Sequence, residues 1–272
     1  MNKSLSNNPG SLGLLVQCQD VSVDISSSWG DIHSIFDRIE GIPLRQTWLK
    51  GSRQKFEKGI IKVAYNSGCL LVYADLNDSY IYNPATKFND PIRPQGDFLE
   101  ILLRPEYQEA YYELHITPEN LQSQFRFKHA ECAKEIMNTN PGKTATELFA
   151  IEFPIFKSKT ELDEDINQWY VLAQIDLKTI TENFRQDKVK RLFYNFCRKN
   201  LTKSGKFESS STAELSEYNF HHQNEWGTIL LKWGMHFTQP DTAYCDSIMV
   251  AMPIYCAIFQ KSCVKCIPTL LN

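Results

Sequence analysis

The strongest constraint on the fold is a succession of short strand patterns separated by turn residues, which continues over most of the chain after Trp48. Two apolar runs, 60–65 (IIKVAY) and 69–75 (CLLVYAD), flank the Asn-Ser-Gly sequence at 66–68. Glycine adopts positive φ at no steric cost, so this arrangement predicts a β-hairpin with a tight turn. Repeated short strands of this kind argue for a β-sandwich.

The segment 97–127 predicts three further strands in a row. Pro105 ends the first strand, and Pro118 with Asn120 turns the chain before the third. Side chains alternate between the two faces of a strand, so we expect one apolar face against the core and one unusually polar face. The expected polar face carries Glu100 and Arg104 on the first strand, Tyr111, Glu113 and His115 on the second, and Gln122, Gln124 and Arg126 on the third.

The rest of the chain alternates strand patterns with short helical or polar segments. Strands are predicted at 147–153, 168–176, 191–197 and 228–233, a helical insertion at 128–144, a helical turn at 177–184 and a polar loop at 199–216. We therefore predict an all-β fold, an antiparallel β-sandwich of jelly-roll type with short helical insertions. Its predicted organisation is an N-terminal lead-in at 1–45, the sandwich at 46–238, and an apolar, cysteine-rich tail of unknown role at 239–272.

Length and charge narrow the range of partners. A chain of 272 residues suits one large domain with extensions. The formal net charge of -3 gives no reason to expect nucleic acid or an anionic membrane as a partner. No stretch reaches the roughly 20 apolar residues that span a bilayer. No export signal is recognisable, so the default expectation is a cytoplasmic protein.

The eight cysteines do not decide the redox state of the chain. Cys263 and Cys266 form a lone C-x-x-C pair in the tail, without a second pair or a thioredoxin-type helix. Nothing else in the sequence marks an oxidising compartment. The disulfide state and the oligomeric state therefore stay open at this stage.

The run from Trp48 to about Phe237 resembles the family 9 carbohydrate-binding modules. The resemblance rests on the order and spacing of several pieces, none of them specific alone. These pieces are Trp48 itself, 70–78 (LLVYADLND), 96–103 (GDFLEILL), Tyr111-Tyr112, Phe125-Arg126-Phe127, 169–180 (WYVLAQIDLKTI) and 220–231 (FHHQNEWGTILL). The resemblance implies a β-sandwich that binds a mono- or oligosaccharide without cleaving it. Members of that family are often extracellular, which contrasts with the missing export signal.

The resemblance also implies a sugar site, position by position. Glu100 matches the sugar-binding glutamate, Arg126 matches an arginine that donates to hydroxyls, and Phe220 falls at the second aromatic platform. Cys197 occupies the place of a site glutamine and Glu217 that of a site asparagine. The altered positions leave the identity of the ligand open.

Two further features follow from the same resemblance. Pro94 stands at the first aromatic platform, and the aromatic side chains that could replace it from the same loop are Tyr80, Tyr82 and Phe88. The family often carries structural Ca²⁺ held by loop carboxylates, for which Asp78 and Asp97 are the expected ligands. No other cofactor is expected.

The residues by themselves leave alternatives to sugar binding. Glu100 and Arg126 on one polar face would form charge-assisted hydrogen bonds to hydroxyls, but they would equally form a cross-strand ion pair. A scaffold or interaction domain with a decayed sugar pocket is the main alternative function. A glycan-processing enzyme using Glu100 and Glu113 as its carboxyl pair is less favoured, so no enzymatic activity is predicted.

The adjacent histidines His221 and His222 are the remaining candidate metal ligands. Neighbouring residues of a strand point to opposite faces, so we expect no joint chelation by this pair.

Overall fold

The computed structural model describes residues 14–50, 56–90, 96–181 and 190–231. In this part of the chain, strands form two sheets and helices are few and short, which confirms the predicted β-sandwich with helical insertions. The predicted tail at 239–272 and Pro94 lie outside the described residues.

The first sheet has seven strands. They are β1 (Leu15–Gln17), β6 (Phe98–Pro105), β7 (Tyr111–Ile116), β8 (Gln122–Phe127), β11 (Arg191–Leu201), β12 (Phe207–Ser211) and β13 (Gly227–Leu230). Their order is β1-β13-β11-β6-β7-β8, with β12 also paired to β11. The meander predicted at 97–127 therefore forms one side of this sheet.

The second sheet has six strands. They are β2 (Gln19–Asp20), β3 (Ile42–Pro43), β4 (Gly59–Asn66), β5 (Cys69–Asn77), β9 (Phe156–Asp163) and β10 (Gln168–Asp176). Their order is β2-β4-β5-β10-β9, with β3 also paired to β4. Pairing is antiparallel except between β1 and β13 and between β2 and β4, so both sheets are mixed.

The predicted hairpin at 66–68 is present between β4 and β5. Asn66 pairs with Cys69, and the two loop residues, Ser67 and Gly68, have φ of 48° and 89°. Two successive positive φ values are the pattern of a two-residue hairpin turn whose twist matches the strands. Glycine at the second position adopts it without a steric penalty.

The main core lies between the two sheets. Leu99, Ile101 and Leu103 of β6 point into it, as their alternation predicts, and Trp169 of β10 is fully buried there. Burial of apolar side chains between the two inner faces stabilises a β-sandwich.

The other described elements are four short α-helices and a 3-10 helix at Gln223–Glu225. The α-helices are α1 (Trp29–Phe36), α2 (Cys132–Thr139), α3 (Ala145–Phe149) and α4 (Leu177–Thr181). The prediction of a strand at 147–153 is wrong, because α3 occupies the first half of that range. Thr144 and Glu147 form a reciprocal capping box that starts this helix. None of the described helices is long and apolar enough to cross a membrane.

Two other sequence-based boundaries are corrected. The polar loop predicted at 199–216 contains the end of β11 and the whole of β12, which pair from Cys197–Ser211 to Leu201–Phe207. The lead-in predicted at 1–45 supplies β1, β2, β3 and α1, so the expected boundary at residue 45 falls inside the sandwich.

The face of the seven-stranded sheet that points away from the main core carries a second apolar cluster. Side chains from 132–149 and 213–226 cover this face, including Phe149, Phe220 and Trp226. We call these two segments the outer layer. The face that the sequence predicts to be polar and solvent-facing is therefore largely buried.

Candidate functional site

A row of polar residues crosses the covered face of the seven-stranded sheet. Cys197 of β11 pairs with Glu100 of β6, Glu100 pairs with His115 of β7, and His115 pairs with Ser123 of β8. Paired residues of neighbouring strands project to the same side of a sheet, so these side chains lie next to one another. Glu113 of β7 shares this side, two residues before His115, as the alternation predicts.

These polar side chains are buried. The exposed fractions of Glu100, Glu113 and His115 are 0%, 4% and 2%. Removing a carboxylate from water is costly unless it is paired or hydrogen-bonded, so the contacts of these carboxylates matter for both stability and function.

Two histidines contact the carboxylates. Nε2 of His115 is 2.8 Å from Oε1 of Glu113 and 3.8 Å from Oε1 of Glu100. Nε2 of His221, from the outer layer, is 3.7 Å from Oε2 of Glu113, and its Nδ1 is 3.2 Å from the hydroxyl of Tyr111. The rings of Phe98 and Phe125 contact the His115 ring at centroid distances of 4.8 and 5.5 Å. His115 is thus fixed in orientation.

The polar group opens into a cavity of about 300 Å³ between the sheet and the outer layer. Glu113, His115 and His221 form its polar part, and the rings of Phe125, Phe127 and Phe149 form much of its apolar part. Side chains of α2 and α3 complete the wall. A small cavity with a few convergent polar groups and apolar walls is the usual form of a small-molecule site.

The structure separates Arg126 from Glu100. Arg126 pairs with Tyr112 of β7, and Tyr112 belongs to the main core between the sheets. Glu100 pairs with His115, on the other side of the sheet. The prediction that Glu100 and Arg126 share one polar face is therefore wrong, and the expected ion pair or sugar clamp between them does not form.

Phe220 is not an exposed platform. It is 6% exposed and packs in the outer layer, with Trp48 and Tyr218 rings at 5.8 and 5.4 Å and the Lys199 ammonium 5.0 Å from its centroid. Its backbone oxygen accepts hydrogen bonds from Asn195 and from the indole of Trp226. These contacts give Phe220 a packing role.

The two altered family positions lie apart from each other. Cys197 is fully buried beside Glu100. Glu217 is an exposed residue of the outer layer. The structure therefore does not bring the two side chains together.

Tyr80 and Tyr82 lie in the loop after β5. Their rings stack with centroids 6.1 Å apart, and each side chain is about two-fifths exposed, at 41% and 42%. Their backbone amides donate to Asp78 and Asp97 respectively. The pair is the most accessible of the predicted aromatic groups, and its role in binding stays a prediction.

Asp78 and Asp97 form a second buried acidic pair, next to a buried guanidinium. The guanidinium of Arg198 is 2.9 Å from Oδ2 of Asp78, and all three residues are at most 2% exposed. The remaining carboxylate oxygens accept backbone hydrogen bonds from Tyr80, Tyr82 and Leu201. Because every oxygen already has a protein donor and Arg198 supplies the charge, these residues do not fit a calcium site.

Burial raises the pKa of both carboxyl groups of this second pair. Burial, together with the nearby Asp78 charge, raises the pKa of Asp97 to about 7. Burial also raises the pKa of Asp78, against the opposing effect of Arg198. The cause in both cases is the cost of holding a carboxylate in a poorly solvated place.

Sequence reasoning missed two contributors to the cavity. His221 lies in a turn and not in a strand, so the argument about neighbouring strand residues does not apply to it. Phe149 lies in α3, for which the capping box at 144–147 was an available signal. The convergence of both on the cavity depends on the tertiary fold and has no local signature.

Known proteins match the chain in structure, at low sequence identity. No family model matches the sequence, and no curated protein matches it. A candidate carbohydrate-binding protein from Bacteroides uniformis superposes with a TM-score of 0.58 at 16% identity, over 80% of this chain and 99% of that one.

Two structures of a family 9 carbohydrate-binding module from Caldicellulosiruptor kristjanssonii also match. The complex with glucose has a TM-score of 0.53 at 14% identity, over 83% of this chain and 100% of that one. The complex with cellotriose has a TM-score of 0.51 at 14% identity, over 84% and 97%. The chain therefore has the β-sandwich fold of the family 9 carbohydrate-binding modules, as the sequence resemblance predicts.

Proposed function

We propose that this chain binds a mono- or short oligosaccharide, without cleaving it, in the cavity between the seven-stranded sheet and the outer layer. The observation that carries the proposal is the cavity itself, with Glu113, His115 and His221 on one part of its wall and three phenylalanine rings on another. The structural neighbours support it, because they include a module in complex with glucose and with cellotriose.

The lining has the chemistry that a sugar requires. Hydroxyls both donate and accept, so the Glu113 carboxylate would accept from them and the imidazoles of His115 and His221 would exchange hydrogen bonds with them. The apolar C–H face of the sugar ring would pack on the rings of Phe127 and Phe149. A cavity of about 300 Å³ lies at the small end of ligand sites, which favours one or two sugar rings.

The same geometry argues against hydrolysis. Retaining and inverting glycosidases place two carboxyl groups about 5–10 Å apart on either side of the scissile bond. Glu113 is the carboxylate among the described cavity-lining residues, whereas Glu100 is fully buried. A substrate bond in the cavity would therefore meet one carboxylate and not a pair.

Calorimetric titration with glucose and cellotriose tests the proposal. We expect dissociation constants in the micromolar to millimolar range for at least one of them, and a loss of tenfold or more in Glu113→Gln. The matched control is Glu214→Gln, because the Glu214 side chain is 74% exposed and lies in a surface ion pair. A folded wild-type protein that binds neither sugar at millimolar concentration, or a Glu113→Gln variant with unchanged affinity, contradicts the proposal.

The second candidate is a scaffold or interaction domain on the same fold. Burial favours this candidate, because three of the positions that match the family's sugar site, Glu100, Cys197 and Phe220, are all buried. This candidate predicts a well-folded protein without measurable affinity for either sugar. The same titration therefore distinguishes the two functions.

A further inference from the structure

Metal-binding atoms converge at and directly behind the polar wall of the cavity. Among the described residues, Glu100, Glu113 and His221 form a group of three whose donor atoms all lie within 4.8 Å of one another. The two carboxylates come from neighbouring strands, β6 and β7, and the imidazole comes from the outer layer. The backbone of the sheet fixes two of the three ligands.

The distances suit coordination better than direct pairing. Nε2 of His221 and Oε2 of Glu113 are 3.7 Å apart, beyond a normal hydrogen bond. Two ligands about 2.0–2.1 Å from a tetrahedral zinc ion are separated by about 3.4 Å. A small shift of either side chain would therefore place an ion between them.

Neighbouring groups already hold these ligands in suitable orientations. Nδ1 of His221 faces the Tyr111 hydroxyl at 3.2 Å, which leaves Nε2 directed at Glu113. Oε1 of Glu113 lies 2.8 Å from Nε2 of His115, and Oε2 of Glu113 lies 3.7 Å from Nε2 of His221. Metal-binding histidines are commonly oriented by a hydrogen bond to their second ring nitrogen, as His221 is by Tyr111.

Charge favours a dication at this place. Glu100 and Glu113 are 0% and 4% exposed, and a divalent ion between them would be attracted by both carboxylates in this poorly solvated interior. A set of two carboxylates and an imidazole is a ligand set for zinc and related transition metals, whereas calcium prefers oxygen ligands alone.

We propose that Glu100, Glu113 and His221 bind one transition-metal dication, with zinc as the reference ion, at the wall of the cavity. The inference goes beyond sugar binding and does not depend on it. Glu113 and His221 both line the cavity, so a coordination position left open by the protein would face that space. Water would fill this position, or the hydroxyls of a bound sugar if the proposed function holds.

Zinc binding to the full-length chain tests the inference. We expect wild-type protein to retain one more equivalent of zinc after buffer exchange than His221→Ala, measured by elemental analysis, with at least a tenfold weaker zinc titration in the variant. The comparison between variants is the readout because Cys263 and Cys266 of the tail could bind zinc separately.

The neighbouring histidine supplies the control. His222 faces Glu225 at 3.3 Å and is exposed to a similar extent as His221, 37% against 33% for the side chains. His222→Ala should retain the ion. Equal zinc content in wild type and His221→Ala, or an equal loss in His222→Ala, overturns the inference.

A second variant guards against a general loss of structure. Glu113→Gln keeps the shape of the side chain and should also lose the ion, with an unchanged circular dichroism spectrum. Glu113→Gln that keeps the full zinc content would contradict the inference. Since zinc is titrated without sugar and the sugars are titrated after chelator treatment, failure of one proposal leaves the other to be judged by its own result.

Discussion

Two pairs of carboxylates are buried among the residues that the structure describes, and their surroundings differ. Asp78 and Asp97 face the guanidinium of Arg198, and each of their oxygens accepts a hydrogen bond from the protein. Glu100 and Glu113 face histidines and adjoin a cavity. We call Asp78 and Asp97 the closed pair, because a buried guanidinium and backbone amides surround them, and Glu100 and Glu113 the open pair, because Glu113 lines the cavity. Burial of acids alone therefore does not indicate a functional site; what surrounds them does.

The largest expected effect is on the closed pair. Arg198→Met should lower the free energy of unfolding by roughly 3–5 kcal/mol, because it leaves two buried carboxylates without their cation. Chemical denaturation measures this. The control is Arg45→Met, because Arg45 pairs with Glu214 at the surface and such bridges contribute about 0–1 kcal/mol. Equal effects of the two substitutions would remove the distinction between closed and exposed pairs.

The closed pair should also make stability depend on pH. The pKa of Asp97 is raised to about 7 in the fold and is near 3.9 in an unfolded chain. Between about pH 4 and pH 7 the folded chain holds a proton that the unfolded chain has released, so stability falls as pH rises through this window. We expect a decrease of a few kcal/mol from pH 5 to pH 8 in denaturation experiments.

Asp97→Asn cannot titrate at this position and serves as the control. Its stability should change less over the same pH range. A wild-type stability that rises steadily from pH 5 to pH 8 would show that Asp97 does not behave as its surroundings imply.

The cavity beside the open pair can be filled without touching its polar groups. Ala133 of α2 lines the cavity, and Ala133→Leu should weaken sugar binding by tenfold or more, about 1.4 kcal/mol, through loss of space. Lys134→Leu adds an apolar side chain at an exposed position of the same helix and should leave affinity unchanged. Titration of both variants with glucose and cellotriose checks this. If Ala133→Leu binds as wild type does, the ligand lies elsewhere.

The smallest effect is expected at the loop beside the closed pair. Tyr80→Ala combined with Tyr82→Ala should change sugar affinity by less than about twofold if the cavity is the site, because both rings belong to the loop held by Asp78 and Asp97. If instead these rings replace the aromatic platform, as the sequence suggests, affinity should fall tenfold or more. The double variant thus decides which buried pair lies nearer the ligand.

The local sequence pattern predicted most strands correctly. It predicted less well which faces of neighbouring strands lie on the same side of the sheet. The alternation of β6 and β7 correctly placed Glu100, Glu113 and His115 on one side. It failed at β8, where the polar residues of the strand were assigned to the same side. The register pairs Ile116 with Gln122, so Phe125 and Phe127 share the side of Glu100 and Arg126 does not.

The physical reason for that error is the outer layer. A face that meets solvent selects polar residues, and that assumption assigned Arg126 to the side of Glu100. The outer layer makes this face a second apolar interface, which selects phenylalanine instead. The outer layer itself was visible in the sequence only as a helical insertion, and its contact with the sheet could not be read from local spacing.

The first described strands have a practical consequence for anyone who produces this protein. Residues 15–20 pass from one sheet to the other, since β1 lies beside β13 and β2 lies beside β4. A shortened version beginning at Trp48, where the family resemblance begins, would lack β1 and β2. Strands β13 and β4 would then each lose one paired neighbour. The bare backbone amides and carbonyls left behind are templates for intermolecular pairing, so such a version should precipitate where the longer one stays in solution.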